Sequence, residues 1–251
     1  MDRIRKKKIW ERLLCFDVLC VVLLIGGLCS RQMQQPLVKE TIEMEKDVQK
    51  NKEEQKGVGE NKETLQEKKK VALTFDDGPH PVYTPMMLDG LKEKNVKATF
   101  FLLGQQVEKY PHIIKRMSEE GHLIGNHSYK HEQLSKLSSI QACSQVNRTN
   151  ELIYTITGTY PEYLRPPFGD WKDDLDCDVN MIEVLWDLDT LDWSTQNKAK
   201  IVKKVVTNIK EGDIILMHDS YETTVSAVME IIDILQKEGY EFVTVDELIL
   251  E

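Results

Sequence analysis

Residues 71–79 read Val-Ala-Leu-Thr-Phe-Asp-Asp-Gly-Pro: an apolar run that stops on two adjacent carboxylates and a turn. A continuous run of this length suits a strand buried on both faces, as in a parallel sheet covered by helices. The pattern repeats outward from it. Short apolar runs near 71–76, 98–103, 122–126, 162–165, 183–189, 213–218 and 241–245 read as strands. Helical stretches near 82–94, 106–120, 138–157, 197–210 and 223–238 fill the gaps, the second with a stripe of Val107, Ile113, Ile114 and Met117. Strand and helix in alternation predict an α/β fold with about seven parallel strands, a distorted (β/α) barrel or else a doubly wound open sheet. In both architectures functional groups gather at the carboxyl ends of the strands.

That rule selects candidates. Five expected strand ends carry charged or imidazole residues: Asp76-Asp77-Gly78-Pro79, His127-Ser128-Tyr129-Lys130-His131, Arg165-Pro166-Pro167-Phe168-Gly169, Leu191-Asp192-Trp193 and His218-Asp219. Taken singly each is weak. Asp-Gly is a common turn, and two histidines four residues apart are often a surface coincidence. Together, Asp77, His127 and His131 make a two-His, one-carboxylate set, which leaves open positions on a catalytic metal. The metalloprotease pattern H-E-x-x-H is missing, because Ser128, Tyr129 and Lys130 stand between the histidines.

The segments TFDDGP, HSYKH, RPPFG, DTLDW and LMH, in that order, resemble the five motifs of the polysaccharide deacetylase family, the NodB-homology or carbohydrate esterase family 4 group. The resemblance covers residues 71–251. It implies a distorted (β/α) barrel, the NodB-homology fold, and a divalent metal, most often Zn2+, with Co2+ or another ion as alternatives. It also implies release of acetate from a polysaccharide. By position, Asp76 resembles the catalytic base and Asp77, His127 and His131 the metal ligands. Arg165 resembles the residue holding the base, and Asp192 the partner of the acid His218. Phe168 resembles the family residue that supplies the oxyanion N–H; Trp193 and Leu216 resemble the walls of the acetyl-methyl pocket. His80 is a further candidate to line the site, His112 and His122 read as surface or helix-end residues, and Asp170, Trp171 and Trp186 suit either core or sugar groove.

The remaining sequence sets the context. With 251 residues the chain fits one domain plus appendages, and 41% hydrophobic residues suffice for a core. A net charge of −9 argues against nucleic acid as a partner. The basic residues concentrate at the start: residues 1–12 hold six Lys/Arg against two Asp/Glu. Residues 13–29 are apolar apart from Asp17 and read as a signal anchor, short for a spanning helix. A cleaved signal peptide or a lipoprotein at Cys29 fits less well, since Leu28 is large where a small residue is wanted. By the positive-inside rule the basic flank predicts residues 1–12 in the cytoplasm and the body outside. Residues 30–70 are charged and lack Phe, Trp and Tyr, the composition of a flexible linker. Of five cysteines only Cys143 and Cys177 fall in the body, and spacing does not decide whether they pair.

The expectation is therefore a membrane-tethered, single-pass, monomeric extracellular deacetylase of an acetylated polysaccharide, foremost peptidoglycan N-acetylglucosamine. Chitooligosaccharide or poly-N-acetylglucosamine deacetylase and acetylxylan esterase are the alternative activities. A wall-binding module without catalysis is the alternative from another class.

Overall fold

Strand β1, Lys69–Asp76, is the axis of the fold, and its residues 71–76 are all buried. The computed structural model describes residues 68–171, 177 and 181–250. The expected cytoplasmic segment, anchor and nearly all of the linker lie outside the described residues. Among the described residues no helix is long and apolar enough to cross a membrane. The domain begins slightly earlier than expected, since Lys69 and Lys70 belong to β1, not to the linker.

The other strands are β2 (Thr99–Leu102), β3 (Leu123–Asn126), β4 (Tyr163–Leu164), β5 (Ile182–Glu183), β6 (Leu188–Asp189), β7 (Ile214–His218) and β8 (Tyr240–Phe242). Seven of them run in the order β5-β4-β3-β2-β1-β7-β6, every ladder parallel, while β8 pairs with the start of β1. No ladder joins β5 to β6 among the described residues, so the sheet is a half-barrel. Helices α1 (Tyr83–Glu93), α2 (Gly104–Lys109), α3 (Pro111–Glu119), α4 (Ser139–Thr157), α5 (Asp192–Thr195), α6 (Lys198–Asn208), α7 (Glu222–Lys237) and α8 (Val245–Ile249) connect and cover it.

The alternation of β1 explains both layers. Val71, Leu73 and Phe75 join a core with Met87, Leu88 and Leu91 of α1 and Val228, Ile231 and Ile232 of α7. Ala72 belongs instead to an inner cluster with Phe101, Tyr163, Val184 and Val245. The inner face thus carries Ala72, Thr74 and Asp76, and it ends on the carboxylate.

Three expectations need correction. The run 183–189 is not one strand but two, β5 and β6, on opposite edges of the sheet. The helix expected over 106–120 is two, because Pro111 starts α3 after Tyr110 leaves helical geometry (φ −128°, ψ 52°). His122 is not a surface residue: it is 7% exposed, packs edge-on to Phe100 and accepts the Ala98 N–H at Nδ1 over 3.2 Å. Cys143 of α4 and Cys177 form a disulfide, with Cα atoms 5.0 Å apart.

Burial, with Lys97 nearby, lowers the His122 pKa to about 4. Unfolded, the same ring takes up a proton near pH 6.5. Between those values the unfolded state binds more protons, so stability is intact above pH 6.5 and falls as pH drops toward 4. The loss attributable to this ring is roughly 3 kcal/mol, most of it reached by pH 4.5. Denaturant melts at pH 7 and 4.5 should show that His122→Leu removes this part of the pH dependence. An unchanged dependence would refute the assignment.

Candidate active site

Because every ladder is parallel, the carboxyl ends of the strands share one edge. Register then sets neighbours: Asp76 lies opposite His218 of β7, and Asn126 opposite Leu164 of β4. The motifs that follow these positions meet there.

The inward position of Asp76 meets Arg165. The Arg165 side chain is fully buried, and Nη1 donates to Asp76 Oδ1 over 2.8 Å. Nη1 also donates to Thr74 Oγ1 (2.7 Å), Nε to Val184 O (3.1 Å) and Nη2 to Leu185 O (3.1 Å). The guanidinium stacks on Phe101 at 4.2 Å, with Trp186 at 5.8 Å. Burial pulls its pKa below the ordinary value and Asp76 opposes this. A buried cation is tolerable only when paired and hydrogen-bonded, as here.

The candidate metal-holding triad lies beside this pair. Asp77 Oδ1 lies 3.5 Å from His127 Nε2 and 3.5 Å from His131 Nε2, and the three donor atoms all fall within 4.8 Å of one another. His127 Nδ1 donates to Arg165 O over 2.6 Å, which leaves Nε2 with its lone pair toward Asp77. Asp77 Oδ1 is buried and has no hydrogen-bond partner within the protein. A buried carboxylate oxygen in that state is what a cation would satisfy, so the donor set fits a divalent metal. Burial lowers the His131 pKa, against the pull of Asp77, the direction that favours the neutral ring a metal needs.

His218 faces the triad from β7, its Nε2 3.9 Å from Asp77 Oδ2. Asp192, fully buried, accepts His218 Nδ1–H over 2.9 Å and the His218 main-chain N–H over 2.8 Å. Thr224 of α7 donates to the same carboxylate over 2.8 Å. Burial alone would lower the His218 pKa, but the Asp192 hydrogen bond and charge, with Asp76 and Asp77 behind it, raise it to about 9.

Backbone strain collects at the same edge. Asp77, Ser128, His131, Phe168 and Leu191 all have φ between 55° and 70°, and only Asn95 and Gln196 join them among the described non-glycine residues. Each such conformation costs of order 1–3 kcal/mol, so the surrounding contacts must enforce it. Asn126, fully buried, holds Ser128: its Oδ1 accepts the Ser128 N–H over 2.7 Å, and its Nδ2 donates to Val146 O and Asn150 Oδ1. Asp170 ties the following loop down by accepting from Gln133 and Ser135. Phe168, with φ 62°, sets its ring edge against His131 at 4.7 Å.

All ten expected site residues therefore fall on this edge or on the strands leading to it. Trp193 is 52% exposed in the first turn of α5, and Leu216 is 6% exposed two residues before His218. His80 Nδ1 accepts the N–H groups of Val82 and Tyr83, and its ring stacks on Tyr83. Trp186 is half-buried, with its ring 5.8 Å from the Arg165 guanidinium. Thr224 and Asn126 were missed, since neither lies in a strand-end charge cluster.

Comparison with known proteins finds a matching family model, curated relatives and solved structures. The family model described as polysaccharide deacetylase matches residues 62–183. A peptidoglycan-N-acetylglucosamine deacetylase of Bacillus cereus is 40% identical over 192 residues, covering 72% of this chain and 68% of that protein. The chain belongs to the polysaccharide deacetylase family. Among further members, peptidoglycan-N-acetylglucosamine deacetylase PgdA of Listeria monocytogenes is 42% identical over 72% of this chain. This chain spans about 39% of that longer relative. The solved structure of peptidoglycan deacetylase PdaC from Bacillus subtilis superposes with a TM-score of 0.70 at 44% identity, covering 72% of this chain and 90% of the other.

Proposed function

We propose that this chain is a divalent-metal-dependent deacetylase that hydrolyses N-acetyl groups of peptidoglycan N-acetylglucosamine and releases acetate. The observation that carries it is the Asp77-His127-His131 triad, set between an arginine-held carboxylate, Asp76, and an aspartate-held imidazole, His218. The names of the Bacillus and Listeria relatives support the substrate.

A divalent cation at the triad, most often Zn2+ in this family, would acidify water and polarise the acetyl carbonyl. Asp76 accepts the proton of the attacking water, its carboxylate fixed by Arg165. The oxyanion needs a preorganised donor. Pro166 and Pro167 have no N–H, so Phe168 offers the first main-chain donor after Arg165. His218 carries a proton at neutral pH, consistent with a pKa of about 9, and delivers it to the departing amine. Asp192 fixes its tautomer. Trp193 and Leu216 supply the apolar surface for the acetyl methyl.

The catalytic domain works outside the membrane in this reading, with residues 13–29 as anchor and residues 30–67 as tether. The Cys143–Cys177 disulfide supports an oxidising compartment.

The test is acetate released by the purified chain from peptidoglycan, N-acetylglucosamine oligomers and acetylated xylan. Activity on peptidoglycan that chelator removes and Zn2+ restores is expected. Faster release from xylan or free oligomers would replace the substrate, and no release from metal-loaded protein would leave a binding module.

A further inference from the structure

Asp219 follows His218 at the end of β7 and is fully buried, yet the chemistry just described gives it no task. The acid already has its carboxylate partner in Asp192. A further buried carboxylate near Asp77 is costly and calls for a reason.

Its contacts supply one. Oδ2 accepts the hydroxyl of Thr84, a fully buried residue in the first turn of α1. The Thr84 hydroxyl oxygen in turn accepts the His80 N–H over 2.7 Å. Oδ1 is buried without a hydrogen-bond partner, and a Cβ on Gly78 would lie 2.6 Å from it. Gly78 is not in the left-handed region, so its lack of a side chain serves this approach and not a backbone angle. The carboxylate thus sits against the turn from Asp77 to His80, touching it at Gly78 and, through Thr84, at His80. From the β2 side the same turn is held by Leu103 N–H donating to Gly78 O over 3.1 Å.

We propose that Asp219 is a positioning residue that clamps the Asp76–His80 turn onto the end of β7. It thereby holds Asp77 in register with His127 and His131, and Asp76 opposite His218. Burial, opposed by Thr84, raises the Asp219 pKa to about 7, consistent with a carboxyl group kept for shape and hydrogen bonding. The kinetic part of the proposal rests on the deacetylase reading, and the metal-holding part stands without it.

The experiment measures Zn2+ affinity by competition with a chromophoric chelator, together with kcat and KM for acetate release and the thermal midpoint. Asp219→Ala is expected to weaken Zn2+ binding by about ten- to a hundredfold and to lower kcat with KM nearly unchanged. Asp219→Asn, which keeps the shape and an acceptor for Thr84, should stay close to wild type. Gly78→Ala should impair binding by crowding, and Asp219→Ala should relieve part of that defect in the double variant. If Asp219→Ala does not fold, Thr84→Val decides, with a smaller loss of affinity expected. Wild-type Zn2+ affinity in Asp219→Ala or, failing that, in Thr84→Val overturns the proposal. So does Asp219→Asn as defective as Asp219→Ala, or strict additivity in the double variant. Wild-type protein that binds Zn2+ but releases no acetate would remove the deacetylase reading while leaving the Zn2+ comparison intact.

Discussion

Asp76→Asn is expected to lower kcat for acetate release about a thousandfold, the middle of the range for removing a general base. Asparagine matches the carboxylate in size but cannot take the proton of the attacking water. The proposed metal ligands Asp77, His127 and His131 are untouched, so Zn2+ should bind nearly as before. Arg165 retains Thr74 Oγ1, Val184 O and Leu185 O as acceptors and can still donate to the amide oxygen. It does lose its counter-charge, so a lower thermal midpoint accompanies the loss. The diagnostic contrast is with His127→Ala, which should lose both Zn2+ and turnover. The first variant separates base from ligand; the second does not. Asp76→Asn retaining a tenth or more of the wild-type kcat would place the base elsewhere.

What the sequence disclosed, and what it hid, follows from how each feature is made. Strand ends rich in charge are local signals, and parallel ladders bring them to one edge without further information. That is why Asp76, Asp77, His127, His131, Arg165 and His218 could be read together. The break between β5 and β6 has no local sign, because Glu183 to Asp189 is a plausible strand by composition. The break arises from a distant residue: the carbonyls of Val184 and Leu185 are taken by the Arg165 guanidinium instead of a neighbouring strand. Pro111 did mark the split between α2 and α3, and the apolar stripe from Val107 to Met117 overrode it. Thr224, Asn126 and Thr84 act by hydrogen bonds to residues 32, 2 and 135 positions away. A threonine or asparagine carries no sequence mark of such a role, unlike a histidine at a strand end.

Arg165→Met tests whether the interior of the half-barrel is a catalytic device as well as a core. Methionine fills part of the volume over Phe101 but provides none of the four hydrogen bonds that Arg165 makes to Asp76, Thr74, Val184 and Leu185. Asp76, whose side chain is 5% exposed, would then be a buried carboxylate without its counter-charge. Removing one partner of such a pair costs about 3–5 kcal/mol. For a domain of this size that corresponds to a fall in thermal midpoint of roughly 10 °C. A carboxylate so placed also loses the hydrogen bond that fixes its orientation toward the attacking water. Turnover should therefore fall at least as far as in Asp76→Asn, even at temperatures where the variant is folded. Arg165→Lys keeps the charge but not the planar fork that reaches two carbonyls and a carboxylate together. It should recover part of the stability and little of the activity. Wild-type stability in Arg165→Met would show that apolar packing alone supports this interior. Wild-type kcat in Arg165→Lys would show that charge, without the geometry of the guanidinium, is enough to hold the base.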